Sequence, residues 1–302
     1  MIEYLIDYFR ITIHESTHEC INLYQNHFEL ALGKLVSLNH GAKGYKGGME
    51  SALGFQLKHT PGFEREYCTF EFPGDACKAV PPEFFIYFFR KINRLDIEFN
   101  VNRIDIAFDN VPFTPYQFKL AIEEDLANEE KKIIRSLTKR DSMKWISRPF
   151  KSREDGSGIG QDTCYFGSRM SERYLRVYNK RGPTRLELEL KGERASIVAK
   201  DLLMVDEKEW FPIMMGHLLD FVDIEKPWWK EFIGNNKRAY VKLHSAKEKS
   251  LEKTCDWLLQ QVSPALSAVY ECTDGQILPF ILEEGNKRMR KNYSNLLSLN
   301  GK

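Results

Sequence analysis

Residues 184–191, TRLELELK, alternate leucine with a charged residue for seven positions. A period of two marks a half-buried strand, apolar on one face and polar on the other. Leu186, Leu188 and Leu190 share one face, and Arg185, Glu187, Glu189 and Lys191 share the opposite one. The same division recurs in three more segments. In RYLRVYNKR (173–181), Leu175 and Val177 oppose Tyr174, Arg176, Tyr178 and Lys180. In FNVNRIDIAFD (99–109), Ile104, Ile106 and Phe108 oppose Arg103, Asp105, Ala107 and Asp109. In IDYFRITI (6–13), Phe9, Ile11 and Ile13 oppose Tyr8, Arg10 and Thr12, with His14 continuing the polar side.

The remaining segments complete an α+β pattern. KGYKGGMESALGFQLKHT (43–60) and EYCTFEFPG (66–74) read as short strands between turns, and TCYFGSR (163–169) as another strand. Short gaps join the last three strands, which predicts an antiparallel meander. PPEFFIYFFRKINRLD (81–96) reads as a helix, with prolines suited to its first turn and a stripe of Phe84, Phe85, Phe88, Phe89, Ile92 and Leu95. A second helix is expected from about 115 to 128, then a basic helical or loop stretch leading to the glycine-rich 153–162. GSGIG there lacks the lysine and the strand-to-helix setting of a phosphate loop. From about residue 200 the chain reads as mostly helical, with a short strand possible at 235–244 and no evident internal repeat. The expected architecture is an antiparallel-rich central sheet with helices on one face and an open polar face, residues 1–200, followed by a helical region, 201–302.

Composition narrows the function classes. With 302 residues, 42% hydrophobic and 29% charged, the chain is globular rather than disordered. No apolar run reaches a membrane span, and MIEYLIDYFR has an acid where a secretory leader has basic residues, so the expected location is cytoplasmic. Six scattered cysteines without C-x-x-C spacing fit free thiols. Net charge is +1, but residues 131–200 hold 18 Lys/Arg against 8 Asp/Glu, while the rest hold 26 against 35. Such an excess is a candidate contact for a polyanion.

Two readings of the polar face stand side by side. Asp105, Asp109, Glu187 and Glu189 could converge on Mg²⁺ or Mn²⁺, or form cross-strand salt bridges with Arg103, Arg185 and Lys191. Tyr178, flanked on its face by Arg176 and Lys180, is a candidate nucleophile, with Tyr174 and Tyr165 as neighbours; nearby cations would favour its phenolate. His14-Glu15-Ser16-Thr17-His18 matches the zinc-protease pattern H-E-x-x-H. It follows a strand rather than lying within an amphipathic helix, so a metalloprotease is disfavoured.

IDYFRITI, RIDIAFD and the succession YFGSR … RYLRVYNK … RLELELK resemble the Rep_trans family. These are rolling-circle plasmid replication initiators and related relaxases of integrative conjugative elements. The resemblance covers about residues 5–200, with QQVSPALSAV adding support further on. It implies a DNA nickase and strand transferase that joins a 5′ phosphate to tyrosine, here Tyr178, with Arg176 and Lys180 beside it. It implies a divalent-metal site of Asp105 and Glu187, then Asp109 and Glu189. Phosphate contacts would come from Arg169, Arg173, Arg185 and Lys191, and origin recognition from 235–247, including Lys237 and Arg238, and from 286–291. Origin DNA, a second copy of the chain and a host helicase are the implied partners, with no membrane. A conjugative relaxase, or a DNA-binding regulator that has lost the chemistry, are the alternatives.

Overall fold

Strands β1 (Glu3–Ile13) and β6 (Phe99–Asp109) lie side by side and antiparallel at the middle of one ten-stranded sheet. The protein is a computed structural model that describes residues 2–38, 45, 47–59, 66–127, 143–148, 161–179, 182–241, 255 and 258–287. Outward from β1 run β5 (Cys68–Phe72), β4 (Gln56–His59), β3 (Gly47–Glu50) and β2 (Val36–Ser37). Outward from β6 run β10 (Thr184–Lys191), β9 (Arg173–Asn179), β8 (Gln161–Phe166) and β7 (Met143–Arg148). Every pairing is antiparallel. Strand β7 falls in the stretch expected as helix or loop.

The two halves of this sheet share one connectivity. Each begins with an eleven-residue strand at the centre, crosses through a helix, and returns as a four-stranded meander whose last strand pairs with the first. The crossing helices are α1 (Thr17–His27), followed by the short α2 (Glu29–Leu32), and α5 (Pro115–Ala127). A helix follows each meander: α3 (Gly74–Ala79) and α4 (Pro82–Arg94) in the first half, α6 (Gly192–Leu203) in the second. The repeat lies in topology and not in sequence.

Helices cover the aliphatic face. Phe9, Ile11, Phe70, Ile104, Ile106, Leu186 and Leu188 are buried in one core with Phe88, Ile92, Val198 and Leu202. Burying each such side chain is worth roughly 1.5–3 kcal/mol. In α4 the buried set is Phe85, Ile86, Phe88, Phe89 and Ile92, whereas Phe84 and Leu95 of the expected stripe are exposed. The stripe is rotated toward Ile86 because 85, 88, 89 and 92 already define its centre. Ser16 Oγ accepts from the Glu19 backbone N–H at 3.2 Å and starts α1 at Thr17. His14 therefore lies outside that helix and His18 on it, which removes the one-helix arrangement that H-E-x-x-H requires.

Helices α7 (Trp210–Phe221) and α8 (Pro227–Ile233) belong with the sheet in a compact unit, Met1–Val241, beyond the division expected near residue 200. The Trp210 indole donates to the Leu202 carbonyl at 2.8 Å and ties α7 to α6. Trp229 is buried, and Trp228 and Trp229 pack with Phe113 rather than stand free for stacking on bases. Residues 235–241 form no strand. In the second unit, Lys242–Lys302, a π-helical turn (Leu258–Val262) precedes the α-helices α9 (Ser263–Thr273) and α10 (Leu278–Lys287), which leave Tyr270, Phe280 and Leu282 exposed. No helix among the described residues is long and apolar enough to cross a membrane.

Candidate active site on the polar face

Strand register brings the ionisable residues into rows. Tyr8 on β1 stands opposite Asp105 on β6, which stands opposite Glu189 on β10, opposite Tyr174 on β9. The neighbouring row runs Ala107, Glu187, Arg176 and Tyr165. The next runs Asp109, Arg185, Tyr178 and Thr163. One further sequence feature supports this placement. Gly167, in the turn between β8 and β9, has φ +90°, and a Cβ there would stand 3.0 Å from the Phe221 ring and 3.2 Å from the Arg173 carbonyl. The glycine of Y-x-G-S-R is thus a steric requirement of the turn that leads into β9.

A chain of alternating charges follows these rows. The Tyr178 hydroxyl donates to Glu187 Oε2 at 3.0 Å. Glu187 Oε1 accepts from Arg176 Nη2, which lies 3.5 Å from Asp105 Oδ2. Arg103 grips Asp105 with two prongs, Nε at 2.8 Å and Nη2 at 2.6 Å, and reaches Glu189 at 2.8 Å. Lys191 closes the chain on Glu189 at 2.6 Å. Asp105, Glu187 and Glu189 are 1%, 2% and 3% exposed, so these charges interact with little solvent screening. Tyr178 and Arg176 are half-buried and form its accessible end.

Burial pushes the Asp105 carboxyl up to about 7, with Glu187 and Glu189 adding to the rise and Arg103 opposing it. Burial likewise raises the Tyr178 phenol, the Glu187 carboxylate reinforces the rise, and Arg185 opposes it. The electrostatics at Tyr178 thus run against the phenolate expected from flanking cations, because its nearest charge is an acid. Its proton is already directed at that acid. Lys191 and Arg103 hold Glu189 below the usual range against the effect of burial. The Arg176 Nε–H is buried and has no hydrogen-bond partner among the described residues, on a side chain that shares Glu187 with the phenol.

The donor set bears on a metal. Three carboxylates at adjoining register positions suit a hard divalent cation, and a cation beside Asp105 would offset the burial that raises it. All three are turned toward guanidinium or ammonium groups, and among the described residues no three His, Cys, Asp or Glu side chains surround a common point. Asp109, the fourth expected ligand, lies farther along β6, where it accepts two bonds from Arg185.

The expected DNA contacts divide. Arg185 is 1% exposed and clamped between Asp109 and Asp7, the latter at 2.5 Å, so its guanidinium does not reach solvent. Arg173 and Arg238 converge with Arg194 on buried Asp220, at 3.5, 2.8 and 2.8 Å. Lys191 pairs with Glu189 and donates to the Arg169 carbonyl at 2.9 Å. Arg169 is exposed and lies 5.2 Å over the Tyr174 ring, and Lys237 is exposed. Lys180, residues 131–142, the glycine-rich 153–160 and most of the two expected origin-reading clusters lie outside the described residues. Sequence reasoning missed Asp7. Alternation assigns it to the side of Phe9, but the register shifts at a β-bulge between Ile6 and Tyr8, which lets Asp7 reach Arg185.

The family model for Rep_trans, the replication initiation factor, matches residues 99–283, which include Asp105, Tyr178, Glu187 and Glu189. The chain is 29% identical to the putative DNA relaxase NicK of Bacillus subtilis (strain 168), over 50% of this chain and 53% of that protein. It thus spans about half the length of the curated relative it matches. A rolling-circle replication initiator protein from Geobacillus stearothermophilus shares the fold, with a TM-score of 0.57 and 18% identity over 80% of this chain and all of that one. With more than half its length matched by that family model, and the polar-face residues inside the match, the chain belongs to the replication initiation factor family.

Proposed function

We propose that this protein is a DNA nickase and strand transferase that starts rolling-circle replication, with Tyr178 as its nucleophile. The observation that carries the reading is the Tyr178 hydroxyl bonded to Glu187 at 3.0 Å, beside an Arg176 Nε–H with no partner among the described residues. Glu187 takes the phenolic proton as the oxygen attacks phosphorus. A phosphorus–tyrosine bond forms, the bond to the 3′ oxygen breaks, and that oxygen leaves as a 3′ hydroxyl once protonated. Arg176 donates to the phosphate and neutralises charge that builds on it. The reverse reaction reseals the strand.

A Mg²⁺ or Mn²⁺ ion held by Asp105, Glu187 and Glu189 would supply further neutralisation of the phosphate, with Asp109 as the outlying acid. Substrate DNA is origin DNA exposed as a single strand or hairpin. Arg169 and Lys237 are the exposed cations best suited to backbone phosphates, while Arg173, Arg185 and Arg238 serve chiefly to hold the framework. The same chemistry serves a plasmid initiator and a conjugative relaxase, and the relative named a relaxase keeps both readings in view. The exposed apolar residues of α9 and α10 suit contact with a second copy, and a helicase would follow the nick.

The test is a denaturing gel of protein with a labelled origin strand and Mn²⁺. Wild type is expected to give a covalent adduct at the 5′ side of the nick. Tyr178→Phe is expected to lower adduct formation by about a thousand-fold or more while leaving strand binding within about two-fold. An adduct of normal yield in Tyr178→Phe overturns the assignment.

A further inference from the structure

A half-turn about the Phe9–Ile104 pair superimposes the register of one half of the sheet on the other. The pair Tyr8–Asp105 exchanges with Arg10–Arg103, and Leu5–Ala107 exchanges with Thr12–Asn100. The bulge at Asp7 falls on the irregularity at Asn102. Extended outward, the rule sets Glu71 of β5, opposite Arg10, at the place of Glu189, opposite Asp105. Thr69, opposite Thr12, takes the place of Glu187, opposite Ala107. Lys58 of β4, opposite Thr69, takes the place of Arg176, opposite Glu187.

The first half therefore repeats the frame of the active site with different chemistry. Where the second half has Asp105 and Glu187, the first has Arg10 and Thr69. At these equivalent positions the first half carries two cations, Arg10 and Lys58, against the single acid Glu71. The second carries Arg103 and Arg176 against three acids. Glu71 is already satisfied, by Lys58 and by the Tyr8 hydroxyl at 2.5 Å. Arg10 is half-buried; it stands opposite Glu71 and helps hold that carboxyl low, but Glu71 makes its close ion pair with Lys58. Its surroundings supply neutral hydrogen-bonding groups: Thr12 and Thr69 lie 3.0 Å apart, and the Tyr45 hydroxyl is 2.8 Å from Thr69. The patch adjoins the active site directly, since the Arg103 guanidinium lies 4.3 Å over the Tyr8 ring.

We infer that residues 3–72 form a catalytically silent duplicate of the nicking half, and that its polar face, centred on Arg10, binds the backbone of single-stranded DNA flanking the nick. This rests on the nickase reading for the identity of the strand, but not for the existence of the surface. A guanidinium beside hydroxyl groups matches a phosphodiester, and Arg10 and Thr69 in place of Asp105 and Glu187 remove two of the three acids that would repel it. A strand reaching Tyr178 need only continue along the same sheet face to meet it.

Anisotropy titrations with fluorescent oligothymidylates of about 8 and about 24 nucleotides test the inference on the full chain. Arg10→Gln is expected to weaken binding of the longer probe about five-fold or more. It should also lower the slope of log affinity against log salt by about 0.7, the value for one phosphate contact on a single strand. The shorter probe should be affected less, and Arg10→Lys should restore most of the loss. A folded Arg10→Gln variant, judged by an unchanged melting temperature, that binds the longer probe with wild-type affinity and slope overturns the proposal. Loss in Arg10→Gln that Arg10→Lys does not restore overturns it too, because charge is then not the cause. The adduct gel separates the two readings. An adduct with no effect of Arg10 removes this surface and keeps the nickase. An Arg10-dependent affinity with no wild-type adduct does the reverse.

Discussion

The two halves of the sheet share a connectivity, a central strand pair and one aliphatic core, yet only one half gathers buried acids. The second half holds Asp105, Glu187 and Glu189 against Arg103 and Arg176, with a tyrosine at its edge. At the equivalent positions the first holds one acid, Glu71, satisfied by Lys58 and Tyr8. The difference lies in a few outward side chains, and the inward ones barely register it. A scaffold of this kind can therefore acquire or lose a reaction without repacking its core, because alternate residues of a strand answer to different environments.

Three measurements press on that contrast. The largest effect is expected at Glu187. Glu187→Gln removes the acceptor for the phenolic proton and should slow strand cleavage about 100- to 10,000-fold in single-turnover assays, the range of a lost general base. Thr69→Val, at the matching place in the first half, should leave the rate within about three-fold. Equal losses in both would end the division into an active and a silent half.

Next comes stability. Arg185→Met leaves Asp7 and Asp109, 17% and 19% exposed, without the guanidinium, 1% exposed, that joins them. The cost expected from urea unfolding is about 3–5 kcal/mol, as for other broken buried pairs. Lys58→Met in the first half breaks a pair whose members are 15% and 18% exposed and should cost less, about 1 kcal/mol. A reversed order would show that burial is not what distinguishes the two networks.

The smallest effect is a pH dependence. A carboxyl raised in the folded state, as Asp105 is to about 7, stabilises the fold while protonated, and that contribution fades as pH climbs from its ordinary value toward 7. Asp105→Asn stays neutral. In metal-free buffer its melting temperature should gain on wild type between about pH 4 and about pH 8, by a few degrees, on the order of 1 kcal/mol. Mn²⁺ should then narrow the gap by stabilising wild type alone. A gap that is constant with pH would remove the Asp105 carboxyl as its source.

Much of this fold was legible because alternation is a strong signal. TRLELELK and FNVNRIDIAFD gave their strands with the observed ends, and the facing of Asp105, Glu187 and Tyr178 followed from parity. Parity fails where the backbone leaves the regular ladder, and Asp7 is the instance: its bulge changes its facing and gives Arg185 a second partner. Partner choice across long distances was also hidden. Nothing local distinguishes Arg173 and Arg238, gathered on Asp220, from Arg169, which lies over the Tyr174 ring instead. The direction of the Tyr178 shift was misjudged for the same reason, since Glu187 joins it only through the β9–β10 pairing. The duplicated topology escaped notice because strand order is fixed by pairing, while Arg10 for Asp105 and Thr69 for Glu187 erase the resemblance in letters.

The central pairing of β1 with β6 has a practical corollary for anyone trimming the chain. The stretch that matches the family begins at residue 99, on β6 itself. Excised there, it would present an eleven-residue strand whose amide and carbonyl groups had lost the mates supplied by β1, with Phe9 stripped from over Ile104. Such a bare ladder invites another chain to dock, so a fragment drawn at the homology limit would trade a closed seam for an adhesive rim.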